Sequence, residues 1–281
     1  MSKSRDVNER PDLIALGGDR LSPQERRYIR FVRSTFRPGR LDMSLRWLQR
    51  HVGSTWIHHS TKNLLQVHGT ERLPPLDPKK SYIFVSNHRS FFDMYVITGY
   101  LVRRGLPHRI VFPVRSSFFY DGPLGLAVNG VMSFFAMYPP IFRERKRAAL
   151  NLVSLAELGW LLRRGGVFTG IHPEGTRNKG DDPYSFLPAQ SGVGRVVHEA
   201  KVAVIPAFIN GLGNDLPKQI LGNFDGTGPQ IHLVFGEAVA LDDLLAIGGS
   251  PKVHRAIAER CLESIQALGE EERKYRSALS E

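Results

Sequence analysis

Residues 82–93 read Tyr-Ile-Phe-Val-Ser-Asn-His-Arg-Ser-Phe-Phe-Asp, an apolar run followed by a polar turn and the start of a helix. The run at residues 82–86 predicts a buried strand, and residues 90–103 predict the helix that follows it. His88 then lies in the turn, and Asp93 lies in the first helical turn. Because α/β proteins bind ligands at the carboxyl ends of their strands, we expect His88 at that rim of a sheet.

Short apolar runs and helical segments alternate along the rest of the chain. This pattern predicts an α/β fold, with a largely parallel central sheet flanked by helices. The predicted strands are residues 64–68, 82–86, 109–114, 166–171, 202–209 and 230–235. The predicted helices are residues 90–103, 146–164, 192–200 and 251–276. We expect one α/β domain at residues 61–281, preceded at residues 1–60 by a mobile segment (residues 1–20) and an amphipathic helical pair.

The predicted helical pair lies in the most basic part of the chain. Residues 20–50 carry nine arginines against two acidic residues, an excess of seven. The run from Ser22 to Glu25 is a capping box with proline at the first helical position, and Pro38-Gly39 is a stop signal. A second helix is expected to begin after Asp42 and to end near Gly53.

The first helix of this pair is amphipathic. Arginines recur at helical spacing on one face, at positions 26, 30, 33 and 37. Apolar residues, including Phe31 and Phe36, lie around the other side. Two interpretations fit. Either both helices pack on the core with their arginines in solvent, or they lie on an anionic lipid surface.

The 281-residue chain has a formal charge of +11, which implies an anionic partner. No zinc-finger or RNA-recognition motif is present, so we expect no nucleic-acid partner. His51 and the pair His58-His59 lack companion ligands, and no metal site is expected. The single cysteine, Cys261, excludes an internal disulfide framework and fits a reducing cytoplasm.

The longest uncharged stretch is residues 122–142, long enough to raise the question of a membrane span. Its prolines and glycines instead favour a broken buried segment or an element on the membrane surface. The N-terminus lacks a basic start followed by an apolar core and a small-residue cleavage site, so we expect no secretory signal. We therefore expect a cytoplasmic protein.

Four residues lie between His88 and Asp93, and this spacing allows two interpretations. A carboxylate that holds one ring nitrogen of a histidine makes a general base for a hydroxyl group. Alternatively, residues 90–93 form a capping box, in which Asp93 reaches back to its own helix end and contacts no histidine. The segment His-Pro-Glu-Gly-Thr-Arg at residues 172–177 favours the first interpretation.

With both segments in view, the chain resembles the glycerolipid acyltransferase family, which includes the 1-acylglycerol-3-phosphate acyltransferases of phosphatidic acid synthesis. The resemblance covers roughly residues 64–236. Four blocks match in the family's order: Asn87, His88 and Asp93; Ile-Phe-Arg-Glu-Arg at residues 141–145; Pro-Glu-Gly-Thr-Arg at residues 173–177; and Val-Ile-Pro-Ala at residues 204–207.

The resemblance implies transfer of an acyl group from acyl-CoA or acyl carrier protein to a lysophospholipid hydroxyl, at the cytoplasmic face of a membrane. It implies no cofactor beyond that donor and no covalent acyl-enzyme. His88 would be the base and Asp93 its partner. Arg177 and Arg145 would hold an acceptor phosphate, although Arg143 and Arg147 are alternatives to Arg145.

The turn at Glu174, Gly175 and Thr176 is expected to supply backbone N–H groups to the oxyanion of the tetrahedral intermediate. Glu174 could also bind acceptor hydroxyls or order the turn. His172 departs from the aromatic residue usual before the proline, and it would be either a core filler or a polar group facing the acceptor. A thioesterase-like hydrolase and a noncatalytic basic binding protein are the alternative functions.

Overall fold

The computed structural model describes residues 10–120 and 122–278, which form seven strands and twelve α-helices. The strands are β1 (Leu65–His68), β2 (Tyr82–Ser86), β3 (Arg109–Arg115), β4 (Met137–Ile141), β5 (Val167–Ile171), β6 (Val204–Asn210) and β7 (Ile231–Phe235). The helices are α1 (Leu13–Gly17), α2 (Pro23–Ser34), α3 (Arg40–Leu48), α4 (Ser54–Thr61), α5 (Asp93–Arg103), α6 (Ser116–Phe119), α7 (Pro123–Ser133), α8 (Leu150–Arg163), α9 (Ser191–Ala200), α10 (Leu216–Asp225), α11 (Asp242–Ala246) and α12 (Pro251–Ala278).

The strands form one sheet in the order β1-β7-β6-β2-β5-β3-β4. Strands β6 and β7 are antiparallel, and every other neighbouring pair is parallel. All five residues of β2 are buried, since this central strand lies between β6 and β5 and helices pack against the sheet. The predicted α/β fold with a largely parallel sheet is confirmed. Its topology places the carboxyl ends of β2 and β5 side by side.

The six predicted strands are confirmed, with ends within two residues of those expected. The sequence does not predict β4, because Pro139 and Pro140 argue against a central strand. The structure places β4 at the edge of the sheet, paired with β3, where a missing N–H donor is tolerated. The stretch at residues 122–142 therefore consists mainly of α7 and a buried edge strand. None of the helices in the described part of the chain is long and apolar enough to cross a bilayer.

The N-terminal region packs on the sheet and its helices. Helix α2 starts at the predicted capping box, in which Glu25 N donates to Ser22 Oγ (3.1 Å) and Ser22 N donates to Glu25 Oε2 (2.7 Å). Its residues Ile29 and Val32 are fully buried. The expectation that residues 1–20 are mobile stays a prediction, and within residues 10–20 Leu13 is fully buried and α1 packs on α8. Residues 1–9 lie outside the described residues.

The division into residues 1–60 and 61–281 stays a prediction. The same holds for the role of the N-terminal helices at a membrane. Their exposed apolar side chains, which bear on that role, include Phe31 on α2 and both Met43 and Trp47 on α3.

Candidate active site

The site begins where β2 ends, at Asn87. The buried side chain of Asn87 donates through Nδ2 to Ile209 O (2.8 Å) and accepts from Ile209 N (2.9 Å). It thus extends the pairing of β2 with β6 by one residue, using side-chain atoms. This fixes the point at which the chain leaves the sheet, and His88 follows immediately at the sheet's carboxyl edge.

His88 and Asp93 are in contact, as the first interpretation predicts. His88 Nδ1 lies 3.1 Å from Asp93 Oδ2. The same oxygen accepts from the backbone N–H groups of Arg89 and Ser90, both at 2.8 Å. Asp93 therefore reaches back to the turn that precedes α5 and holds the histidine at once, while the N-cap residue of α5, Phe92, makes no side-chain cap. Because a carboxylate only accepts, Nδ1 carries the proton and Nε2 has a free lone pair.

His172 stacks on His88. It follows β5, the neighbour of β2, and its ring lies parallel to the His88 ring at 5°, with 3.8 Å between the ring centroids. His172 Nδ1 is 3.1 Å from Ser86 O, which only accepts, so Nδ1 carries the proton here too. The sequence leaves the role of His172 open, and the structure places it against the face of the candidate base.

Burial controls the charges of the catalytic pair. Burial, together with the positive charges of Arg177 and Arg143, lowers the pKa of His88 to about 4. Burial raises the pKa of Asp93 to about 6, although its hydrogen bonds from the backbone oppose this shift. At neutral pH, His88 is therefore uncharged and Asp93 is ionised. The neutral ring of His88 can accept a proton, and the carboxylate of Asp93 can stabilise the imidazolium that forms.

Glu174 orders the turn at the end of β5. Its Oε1 accepts from His88 N (3.0 Å), and its Oε2 accepts from Leu187 N (2.8 Å). The side chain is buried, and burial raises the pKa of its carboxyl group. Of the two roles considered for Glu174, the contacts support the structural one, since both carboxylate oxygens are engaged by backbone donors.

Gly175 occupies a position that requires glycine. Its φ is +67°, and an added Cβ would lie 2.9 Å from Gln190 Cγ. Its N–H donates to His172 O (2.9 Å), so it is not free to serve as the predicted oxyanion donor. Thr176 is exposed at the rim beside it. The N–H groups of Glu174 and Thr176 keep their predicted role as candidates.

The four candidate arginines for binding an acceptor phosphate differ in what their side chains contact. Arg177 is exposed and donates through Nη1 to Asn214 Oδ1 (2.7 Å), while Arg143 donates to Gly175 O (2.6 Å). Arg147 instead forms ion pairs with Glu25 and Glu144. Arg145 is exposed, and its side chain has no hydrogen-bond or ion-pair partner among residues 10–120 and 122–278. Arg143, which the sequence leaves open as an alternative to Arg145, thus contacts the Gly175 turn beside the catalytic pair.

Two asparagines, Asn214 and Asn178, contact the turn that carries His88 and are not predicted from the sequence. Asn214 accepts from Phe91 N (3.2 Å) and donates to Arg89 O (3.3 Å), which ties the loop after β6 to the turn that carries His88. Asn178 N donates to His88 O (2.9 Å). The position of Asn214, just past the end of a central strand, is a signal that could have identified it.

The nitrogen and oxygen atoms of His88, Asp93 and His172 include a set lying within 4.8 Å of one another, close enough to suggest a metal site. The ring orientations do not fit one. Lone pairs in the planes of two parallel rings run side by side and do not converge on a common point. His172 Nδ1 is also directed at Ser86, and Asp93 Oδ2 already accepts two backbone N–H groups. The arrangement fits acid–base chemistry better than metal coordination.

Comparison with known proteins identifies a matching family. The model of the family described as Acyltransferase matches residues 64–210, a segment that contains β1 to β6 and the whole catalytic pair. Human 1-acyl-sn-glycerol-3-phosphate acyltransferase beta is 29% identical over 172 residues, covering 58% of this chain and 56% of the relative. The alpha enzyme of Mus musculus is 30% identical over 148 residues, covering 52% of this chain and 45% of the relative. The chain thus spans about half the length of these curated relatives.

A solved structure shares the fold. The crystal structure of the 1-acyl-sn-glycerophosphate acyltransferase from Thermotoga maritima superposes with a TM-score of 0.55 at 19% identity, covering 87% of this chain and 88% of that one. At this identity, the likeness supports the architecture and not the substrate.

Proposed function

The chain belongs to the Acyltransferase family, and from that premise we propose that it moves a fatty acyl group from acyl-CoA or acyl carrier protein to the free hydroxyl of a lysophospholipid such as 1-acylglycerol-3-phosphate. The observation that carries the proposal is the contact of 3.1 Å between His88 Nδ1 and Asp93 Oδ2, which leaves Nε2 to act on a substrate proton. The names of the relatives support the acceptor class.

The reaction needs no covalent intermediate on the enzyme. His88 Nε2 takes the hydroxyl proton as the acceptor oxygen attacks the thioester carbonyl carbon, and a tetrahedral oxyanion forms. Asp93 stabilises the resulting imidazolium through Nδ1. When the oxyanion collapses, the carbon–sulfur bond breaks, and the thiolate takes the proton from His88. The products are the acylated lipid and a free thiol.

The acceptor phosphate would lie between Arg177 and Arg143. Both guanidinium groups lie close enough to lower the pKa of His88 by their charge, and both lie near the Gly175 turn or the Asn214 loop. A guanidinium group offers paired donors that match phosphate oxygens. Arg177 is therefore retained from the sequence prediction, and Arg143 takes the place of Arg145.

The acceptor and product are membrane lipids, so the proposal includes peripheral association with an anionic membrane, at its cytoplasmic face. Met43 and Trp47, one turn apart on α3, are 61% and 57% exposed, and Arg30 and Arg37 on the preceding segment are exposed as well. Apolar side chains next to arginines suit the interface of an anionic bilayer.

A mixed panel of lysolipids and acyl thioesters, read by mass spectrometry, tests the proposal. We expect a diacyl product and free thiol from the wild-type protein and neither from His88→Ala. Free fatty acid without any acylated acceptor would instead identify a thioesterase. Binding of lysolipid without either product would identify a noncatalytic protein.

A further inference from the structure

His172 forms a stacked pair with His88 and has no part in the reaction proposed above. The two rings lie at 5° with 3.8 Å between centroids, close to van der Waals contact over a whole ring face. His172 is itself held by Ser86, since its Nδ1 lies 3.1 Å from Ser86 O and 3.3 Å from Ser86 Oγ. Ser86 is a fully buried residue of β2. The stacking surface is thus anchored to the central sheet.

This surface limits the orientations open to the His88 ring. Asp93 holds the ring at Nδ1, which fixes one atom but permits rotation about that contact. A flat group against one face removes the rotation, because turning the ring would drive it into His172. Together, the hydrogen bond and the stack fix the direction of the Nε2 lone pair. General-base catalysis depends on that direction, since the lone pair must point at the substrate proton.

The stack also affects the charge that His88 acquires during the reaction. Proton transfer to Nε2 makes the ring a cation, and an aromatic face at this distance attracts a cation. His172 itself stays uncharged, because burial and the neighbouring His88 lower its pKa to about 3. A second positive charge at His172 would repel the imidazolium.

We infer that His172 is a positioning residue for His88, which holds the ring in the orientation set by Asp93 and presents an uncharged aromatic face to the imidazolium. The inference rests on the proposed function, in which His88 is the base. The family commonly has an aromatic residue at the position of His172. Histidine can replace it there because both side chains present a flat π face to His88.

Two substitutions of similar volume distinguish the effect of an aromatic face at residue 172 from the effect of filling the same space. His172→Phe keeps the flat ring, whereas His172→Leu fills the site without one. Asp93, Arg143, Arg177 and Glu174, which also face or hold His88, are unchanged in both variants. We expect kcat in the Phe variant within about threefold of wild type and kcat in the Leu variant roughly tenfold lower, with both KM values unchanged.

The second measurement does not depend on activity. Titration of His88 by NMR should give a lower pKa in the Leu variant than in the Phe variant, by roughly half a unit, because the imidazolium loses its aromatic neighbour. Equal kcat and equal His88 pKa in the two folded variants would overturn the inference. A pKa difference in a protein whose wild type acylates no lysolipid would uphold the stacking effect and overturn the proposed function instead.

Discussion

One oxygen atom of Asp93, Oδ2, makes three of the contacts that hold the site together. Oδ2 accepts from the backbone N–H groups of Arg89 and Ser90, in the turn before α5, and also faces His88 Nδ1. The shape of this turn and the catalytic contact therefore depend on the same carboxylate. Replacing Asp93 affects both, whereas replacing His88 affects only the chemistry.

We expect His88→Ala to lower kcat by about a hundredfold to ten-thousandfold, the usual contribution of a general base, and Asp93→Asn to be nearly as damaging. Lysolipid affinity should change little, since the base acts on a proton and contributes little to ground-state binding. Steady-state kinetics and circular dichroism on the purified variants check this. Retention of most turnover by folded His88→Ala would refute the assignment.

The pH dependence follows from the two shifted groups. His88 must be neutral, and its lowered pKa of about 4 keeps it so at neutral pH. Asp93 must be ionised, and its raised pKa of about 6 means that it takes up a proton as the pH falls through that value. We therefore expect kcat/KM to be level above pH 7 and to fall as the pH drops through about 6. A fall centred above pH 7 would contradict this picture.

The arginines should differ in their effect on the acceptor. Arg177→Ala and Arg143→Ala should each raise the KM for a phosphorylated lysolipid by roughly tenfold or more, because a hydrogen bond to a charged group is lost. The KM for a neutral acceptor and for the thioester should change less. Arg145→Ala is the matched control. A larger rise in the KM for the phosphorylated lysolipid in Arg145→Ala than in Arg143→Ala would show that Arg145 holds the phosphate, as predicted from the sequence.

At the scale of elements, α2 and α3 differ in what they expose. Helix α2 buries Ile29 and Val32, and Arg33 is held by Asp12 and Glu157. Arg33 is thus less free for lipid contact than its position on the basic face suggests, and Phe36 is buried. Helix α3, in contrast, exposes Met43 and Trp47. The membrane-facing side chains proposed here therefore lie mainly on α3.

We expect the double substitution Met43→Gln and Trp47→Gln to reduce flotation with anionic liposomes without unfolding the protein, because both side chains are mostly in solvent. Substituting Arg30 and Arg37 with glutamine should give a partial loss that is greatest at low salt. Leu152→Gln on α8, where Leu152 is 51% exposed, is the control. Unchanged flotation of the α3 variant would show that Met43 and Trp47 do not bind the membrane. The exposed Leu124 and Val131 of α7 would then be the next candidates.

At the scale of the whole molecule, the N-terminal segment is tied to the catalytic domain by buried ion pairs. Glu157 on α8 is fully buried and lies 2.6 Å from Arg10 Nη2 and 3.0 Å from Arg33 Nε. Leu13 and Leu21 are buried in the same region. Removing residues 1–52 would therefore expose core surface, so such a truncation cannot test membrane binding in isolation.

Glu157→Gln should lower the free energy of unfolding by about 3 kcal/mol, because two partly buried arginines lose their shared carboxylate. Glu259→Gln, which breaks an exposed pair with Arg255, should change it by roughly 0.5 kcal/mol or less. Chemical denaturation of both variants measures the difference. Equal stabilities would show that the N-terminal segment is held by apolar packing alone.

The sequence by itself determined the α/β fold, six of the seven strands and the pairing of His88 with Asp93. Hydrophobic runs predict strands and capping residues predict helix starts, because both patterns are local. For His88 and Asp93 the spacing alone left two interpretations open, and the segment at residues 172–177 favoured their contact.

Only the tertiary structure decided which distant residues meet at the site. Sheet order places β5 beside β2, so His172 stacks on His88 across 84 residues of chain, and Arg143 donates to Gly175 O in the turn after β5. Strand β4 is possible because it lies at the sheet edge, which no pattern in its own sequence reveals. The physical reason is the same in each case. Spacing along the chain fixes neighbours within an element, whereas contacts between elements depend on how the whole sheet is assembled.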